Sequence, residues 1–311
     1  MIISASRRTD IPSFYSRWFF NRLKEGYALV PNPYNPKMLS RVSLDRGVVD
    51  CIVFWTKNPA PMLGRLDELE GYNYYFQFTL NPYGSEIERK LPPVDKRIDT
   101  FRRLAEKIGP ERVVWRYDPI LTNARYDTDF HSEAFDRIAR ELKDHTELCM
   151  LGFIDRYPHV RKSLEGEGID ALTPEEIERM AVSFAESAAR HGIVLQTCTS
   201  RVNLTHLGIP GGLCVDDKLI ERIAGYPIRA AKDRNQRHIC NCVESVDIGT
   251  YESCLNDCLY CYAIKGNYGT AESNRLRHDP QSPLLVGYPA GDEVIRERKV
   301  KSLRSDQYSL F

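Results

Sequence analysis

The sequence predicts an α/β protein in which parallel strands alternate with helices as a partial or full (β/α) barrel, with a cysteine-rich C-terminal extension folding over the strand C-terminal ends. Three observations predict it. Six short apolar runs alternate with helix-like stretches, which is the order of βαβ units and a parallel sheet. Most of the runs end in charged or polar residues, where barrels of this kind carry their active sites. Beyond Cys198 the periodicity weakens, and cysteines crowd into loops.

Taken in order, Ile2 to Ser6 reads as a buried strand ending in Arg7, Arg8 and Asp10, before a helix over Tyr15 to Lys24. A Pro- and Asn-rich excursion, with a hairpin around Met38 to Leu44, leads to a second strand, Val49 to Phe54, ending at Trp55, Lys57 and Asn58. A helix over Ala60 to Leu69 precedes the third strand, Tyr74 to Thr79. Ile98, Phe101, Leu104, Ala105 and Ile108 share one face of a helix that Gly109-Pro110 stops. The fourth strand, Arg112 to Trp115, runs into Arg116 and Asp118. After a helix over Phe130 to Lys143, the fifth strand, Leu148 to Ile154, ends at Asp155. Thr173-Pro174-Glu175-Glu176 starts a strong helix: a side-chain cap, a proline in the first turn and acids facing the dipole. Gly192 closes it, and Ile193 to Gln196 is the sixth strand, ending at Thr197-Cys198. A short helix over Asp216 to Ile223 follows, and the apolar spots Leu284-Leu285-Val286 and Leu310-Phe311 are expected to dock on the barrel.

The 311 residues divide on this reading into a barrel over 1–198 and a cysteine-rich extension over 199–311 packed on it. Lys plus Arg is 43 and Asp plus Glu is 43, so no net field draws the chain to nucleic acid or an anionic membrane. A nucleic-acid substrate would need a local basic patch. No apolar run approaches the roughly 18 residues that cross a bilayer, and nothing at Met1 to Ser6 resembles an export signal, so a cytoplasmic protein is expected.

Cys254, Cys258 and Cys261 are spaced C-x3-C-x2-C, with Tyr260 just before the third. Three thiols in eight residues turn inward only around a tight loop. Such a loop supplies three ligands to a four-iron cluster and leaves one iron open for chemistry. Closed zinc sites usually take four ligands as two separated pairs, and disulfides are disfavoured in a reducing compartment. Cys51 and Cys149 sit within strands and read as small buried side chains. Cys198, Cys214, Cys240 and Cys242 lie in loops or at a strand end, the count for a second cluster or a zinc, with Cys198 as a pocket thiol in the rival assignment.

Ser4 to Pro12, Phe54 to Asn58, Trp115 to Ile120, Asp247-Ile248-Gly249 with Tyr251, and Cys254 to Ala263 resemble an uncharacterised family known only as a domain of unknown function. Its C-terminal cysteine cluster is similar to that of radical SAM proteins, and Cys258 to Ala263 is also similar to the cluster loop of spore-photoproduct-lyase-like members. The resemblance implies one [4Fe-4S] cluster or two, S-adenosylmethionine (SAM) on the free iron, Tyr260 packed on its adenine, and an electron donor such as a flavodoxin or ferredoxin; Trp55 and Asn58, at a strand end, are expected to bind the cofactor as well. Two departures stand out. The loop follows the sixth strand, not the first, a placement that resembles the thiamine-pyrimidine synthase group. No Gly-Gly-Glu motif follows the second strand.

The expected activity is hydrogen abstraction from an unidentified substrate at the barrel mouth. Arg7, Arg8, Lys57 and Arg116 would bind its anionic groups, while Asp10 or Asp118 orients hydroxyls or amines. Two alternatives carry their own signatures. A non-catalytic iron-sulfur or zinc protein, as electron carrier or nucleic-acid module, explains the cysteines but not the charged strand ends. A metal-dependent barrel hydrolase would want histidines at those ends, and the seven in this chain fall mostly elsewhere.

Overall fold

The computed structural model describes residues 1–199 and 202–305; Leu310-Phe311 lies outside the described residues. Along the chain run β1 (Ile2–Ala5), α1 (Ile11–Phe14), α2 (Ser16–Glu25), a hairpin of β2 (Tyr27–Asn32) and β3 (Asn35–Ser43), and β4 (Cys51–Thr56). A 3-10 helix (Ala60–Leu69), β5 (Tyr74–Thr79), α3 (Val94–Ile108), β6 (Val113–Ile120), α4 (Thr128–Glu141) and β7 (Leu148–Phe153) follow. Then come α5 (Arg161–Gly166), α6 (Pro174–His191), β8 (Val194–Thr197), α7 (Asp217–Ala224), β9 (Val246–Asp247), α8 (Tyr268–Leu276) and β10 (Val294–Glu297).

Local chemistry explains most boundaries. Thr173 and Glu176 form a reciprocal capping box at the start of α6, and Gly192 ends it in the left-handed region at φ 71°. Asp216 caps α7 through the N–H groups of Lys218 and Leu219. The Ala60–Leu69 stretch winds as a 3-10 helix, with Pro61 in its first turn, where no N–H is needed.

The main sheet has seven parallel strands in the order β8-β7-β6-β5-β4-β1-β9. Among the described residues no ladder joins β8 to β9, so the sheet is open and a full barrel is not formed by strand pairing. The β8 edge is covered by other chain. Thr197 exchanges backbone hydrogen bonds with Pro210 and Gly212, while β9 contributes only two residues. A second sheet, β10-β3-β2, holds the hairpin, wider than the sequence suggests. Neither β9, β10, α5 nor α8 carries enough periodicity to be read in advance.

Side chains alternate across a strand, and here both faces are buried. One face, with Ile52, Phe54, Phe76, Trp115 and Leu151, packs against the helices; Trp115 stacks on Phe135 at 4.8 Å and Phe135 on Phe184 at 4.4 Å. The other face, with Ile2, Cys51, Val53, Tyr75, Val114 and Met150, is covered by Cys214 to Ile220, Cys240, Cys242 and Val243. Cys51 and Cys149 are fully buried. Leu284 packs on Leu29 and Leu39 of the hairpin, and Leu285 joins the main core. No described helix is long and apolar enough to cross a membrane.

His131 of α4 fixes the end of β6. Its Nε2–H donates to the Leu121 carbonyl at 2.7 Å, so Nδ1 accepts from the Tyr117 hydroxyl, also at 2.7 Å. Accepting at Nδ1 requires the neutral ring, and burial pulls the imidazole from the ordinary 6.5 to about 4. A depressed value means the unfolded chain takes up the proton first. Stability is therefore present above pH 6.5 and lost progressively as pH falls to about 4. The wild type should lose about 3 kcal/mol across that window relative to His131→Gln, measured by urea unfolding at each pH.

Candidate metal centre at the strand ends

The parallel register gathers polar side chains on the face away from the helices. Trp55 lies beside Gln77, Thr79 beside Arg116, and Arg116 beside Met150. Arg116, 5 % exposed, donates to Gln77 at 3.2 Å, to the Cys214 sulfur at 2.8 Å and to Asp118. Asp118 needs Gly152 as its neighbour: a Cβ there would stand 2.2 Å from its Oδ1. Trp55 is flanked by two guanidiniums, Arg7 at 4.8 Å and Arg116 at 5.4 Å from the ring centre. Its indole N–H is buried with no partner among the described residues.

The turn after β1 is clasped by Asp247 of β9, which accepts from Ser4, Ser6 and the N–H groups of Arg7 and Gly249. Gly249 is required because a Cβ would approach the Ser6 hydroxyl to 2.2 Å. Arg8 faces Tyr251 at 5.1 Å and the Gly249 carbonyl, beside Asp247.

The cysteine loop is fastened to three strand ends. Asp10 caps α1 through Ser13 N–H, and accepts from Thr56 at 2.8 Å, Lys57 N–H at 2.8 Å and Asn256 at 3.1 Å. Cys258 bridges Glu88, and Leu259 N–H donates to Ile87 at 2.9 Å. Tyr262 donates to the Arg7 carbonyl. The strongest tie is electrostatic. Glu88, 1 % exposed, accepts from Lys57 at 2.8 Å, Arg97 at 2.8 Å, Asn81 at 3.3 Å and the Tyr260 hydroxyl. Burial alone would raise the Glu88 carboxyl, but the charges of Lys57 and Arg97 outweigh it and hold the group below its ordinary range.

Burial pushes the Cys254 thiol up to about 12 and raises Cys258 and Cys261 as well. Backbone N–H groups of Asn256 and Asp10 act the other way on Cys254, and those of Ala263 and Ile264 on Cys261, favouring the thiolate. A buried sulfur surrounded by donors suits a thiolate whose charge a metal compensates, so the donor set fits an iron-sulfur cluster. In the structure as it stands, no three His, Cys, Asp or Glu side chains among the described residues surround one point.

The second cysteine set also comes together. The Cys198 and Cys214 sulfurs are 3.2 Å apart, and Cys242 accepts from Cys214 N–H at 3.2 Å and Val215 N–H at 3.4 Å. Cys240 bonds to Cys242, whose thiol lowers it to about 7.

A family model matches residues 2–263, reaching from β1 through the cysteine loop. The chain belongs to the family described as Domain of unknown function (DUF1848). No curated protein and no solved structure matches it.

Of the residues expected at this DUF1848 site, Arg7, Trp55, Arg116 and Asp118 form one group, and Lys57 and Tyr260 another around Glu88. Asp10 is occupied as a tether. Asn58 turns back on its own segment, with its side chain on Ala60 N–H and its carbonyl on Ser13. Asp155 pairs with Arg237. Sequence reasoning missed Glu88, Asn81, Arg97 and Asp247, which lie in loops, in a helix and in a two-residue strand. The only advance signal was Asp247 within the Asp-Ile-Gly stretch.

Glu88→Gln would leave Lys57 and Arg97 buried without their counter-charge. It should cost about 3–5 kcal/mol in urea unfolding at neutral pH. Because the folded carboxyl titrates below 4.5, the wild-type advantage is present above that pH and lost below it, so the gap between the two proteins should close on acidification.

Proposed function

We propose that this chain is a radical SAM enzyme in which Cys254, Cys258 and Cys261 hold a [4Fe-4S] cluster. The observation that carries the reading is the fastening of a three-thiol loop, by Asp10, Glu88 and Arg7, against the carboxyl ends of a parallel sheet. That edge is where α/β proteins bind ligands. The open sheet then serves as a partial barrel, with the chain from Cys214 to Val243 covering the face away from the helices.

When bound together with SAM, the cluster supplies one electron that breaks a carbon–sulfur bond of SAM, and the organic fragment abstracts hydrogen from a substrate. The chain's own residues set the conditions. Lys57, Arg97 and Glu88 leave one net positive charge buried beside the loop, which offsets the one net negative charge of three thiolates on an oxidised cluster. Tyr260 is anchored through its hydroxyl, so its ring is fixed beside the third cysteine. Arg7, Arg116 and the unpartnered Trp55 N–H offer donors to an anionic ligand, and Asp118, partly exposed, accepts from a hydroxyl or amine. Arg8 supports that face from the Gly249 turn. A flavodoxin- or ferredoxin-type protein would deliver the electron.

Anaerobically reconstituted protein should hold about four irons and four sulfides per chain at this loop. Its reduced EPR spectrum should shift on adding SAM, and 5′-deoxyadenosine should form and disappear in Cys258→Ala. Iron with a SAM-insensitive spectrum and no deoxyadenosine would overturn the enzymatic reading in favour of an electron carrier.

A further inference from the structure

Four cysteines lie outside the proposed cluster, far apart in sequence yet in one patch on the sheet face away from the helices. Cys198 follows β8, Cys214 precedes α7, and Cys240 and Cys242 sit on the stretch that returns toward β9. A chain of contacts connects them: the Cys198 and Cys214 sulfurs are 3.2 Å apart and the Cys242 sulfur accepts from Cys214 N–H at 3.2 Å, with Cys240 two residues before Cys242. Cys214, Cys240 and Cys242 are buried, and none of the four is in a disulfide.

We propose that Cys198, Cys214, Cys240 and Cys242 bind a single tetrahedral Zn2+ ion, separate from the cluster at Cys254, Cys258 and Cys261.

The spacing of the sulfurs decides between one ion and a second cluster. Four sulfurs about 2.3 Å from one zinc stand about 3.8 Å from each other. Sulfurs on a four-iron cluster each bind a different iron and stand farther apart. The Cys198 and Cys214 sulfurs at 3.2 Å, with the Cys242 sulfur 3.2 Å from the Cys214 backbone nitrogen, match the crowded arrangement. The chain of contacts does not yet surround a point. Each thiol is free to turn about its Cα–Cβ bond, and the proposal requires that such rotation bring the four sulfurs around the ion.

The surroundings suit a thiolate site. The Cys242 sulfur accepts two backbone N–H groups, and the Cys214 sulfur accepts from the Arg116 guanidinium at 2.8 Å. Four thiolates on Zn2+ carry two net negative charges, and Arg116 with Arg7 provides opposing charge. The ion would clamp the cover over Val53, Tyr75 and Val114 to the end of β8, and would fix the guanidinium that flanks Trp55. Its role is structural, because four protein ligands leave no open position.

The test is metal analysis of the full-length protein with zinc and iron supplied. Wild type and the triple variant Cys254→Ala, Cys258→Ala, Cys261→Ala should each hold about one zinc per chain, and Cys214→Ser with Cys242→Ser should lose it. Zinc X-ray absorption of the wild type, which needs no variant to fold, should show four sulfurs at about 2.3 Å. A shell containing nitrogen or oxygen, no zinc in the wild type, or zinc retained by the double variant would overturn the proposal. So would iron and sulfide retained by the triple variant, which would mark a second cluster. Wild type that holds the zinc but shows no iron-dependent SAM chemistry would overturn only the enzymatic reading.

Discussion

A carboxylate with almost no solvent exposure, Glu88, holds the candidate site together. It receives Lys57 from the end of β4, Arg97 from α3, Asn81 from the end of β5 and Tyr260 from the cysteine loop. Such a group is tolerated only when its charge is answered and its lone pairs are filled, and four donors from four parts of the chain do both. The arrangement is selective. A loop that failed to bring Tyr260 to this point would leave a polar group buried with too few partners, so the network fixes where the three thiols stand. Asp10 repeats the device on a smaller scale, joining α1, β4 and Asn256.

The sheet supplies the second constraint. With both faces buried, alternation assigns each strand residue either to the helical core or to the opposite face, and a polar residue is admitted only where a partner waits. Gln77 and Arg116 qualify because the Cys214 carbonyl and sulfur meet them. Tyr75 bonds to the same carbonyl at 2.7 Å. The cover over this face and the polar strand ends are therefore mutually dependent: removing the cover would strand three buried polar side chains.

These two constraints explain what was legible in the sequence. The six strands of the βαβ succession were readable because parallel strands buried on both faces are short continuous apolar runs, and α6 announces itself by its cap. Trp55, Arg116 and Asp118 were readable as site residues because they end such runs. Glu88 and Arg97 were not: one lies in a loop without periodicity, and the other looks like any charged residue of an amphipathic helix. The hairpin partner β10 and the two-residue β9 were equally silent, since so few residues carry no pattern and their pairing comes from distant chain. Whether the expected barrel would be partial or full was not legible, for a related reason. Strand order can be inferred from alternation, whereas closure depends on what occupies the two edges, and here Pro210 to Gly212 caps one of them.

The position of the cysteine loop late in the chain then needs no special device. In a parallel sheet all carboxyl ends lie along one edge, so a loop arriving from any point in the sequence meets the same set of strand ends. What matters is entry. β9 pairs with β1, outside the strand succession, and delivers the chain to this edge seven residues before Cys254. Asp247 then grips the turn after β1, Tyr15 holds the Ser253 carbonyl at 2.6 Å, and Asn256 reaches Asp10. A two-residue strand adds little stability by itself. Its contribution is orientation: it sets the loop down beside β1, from which the contacts to Lys57 and Glu88 follow one strand end at a time.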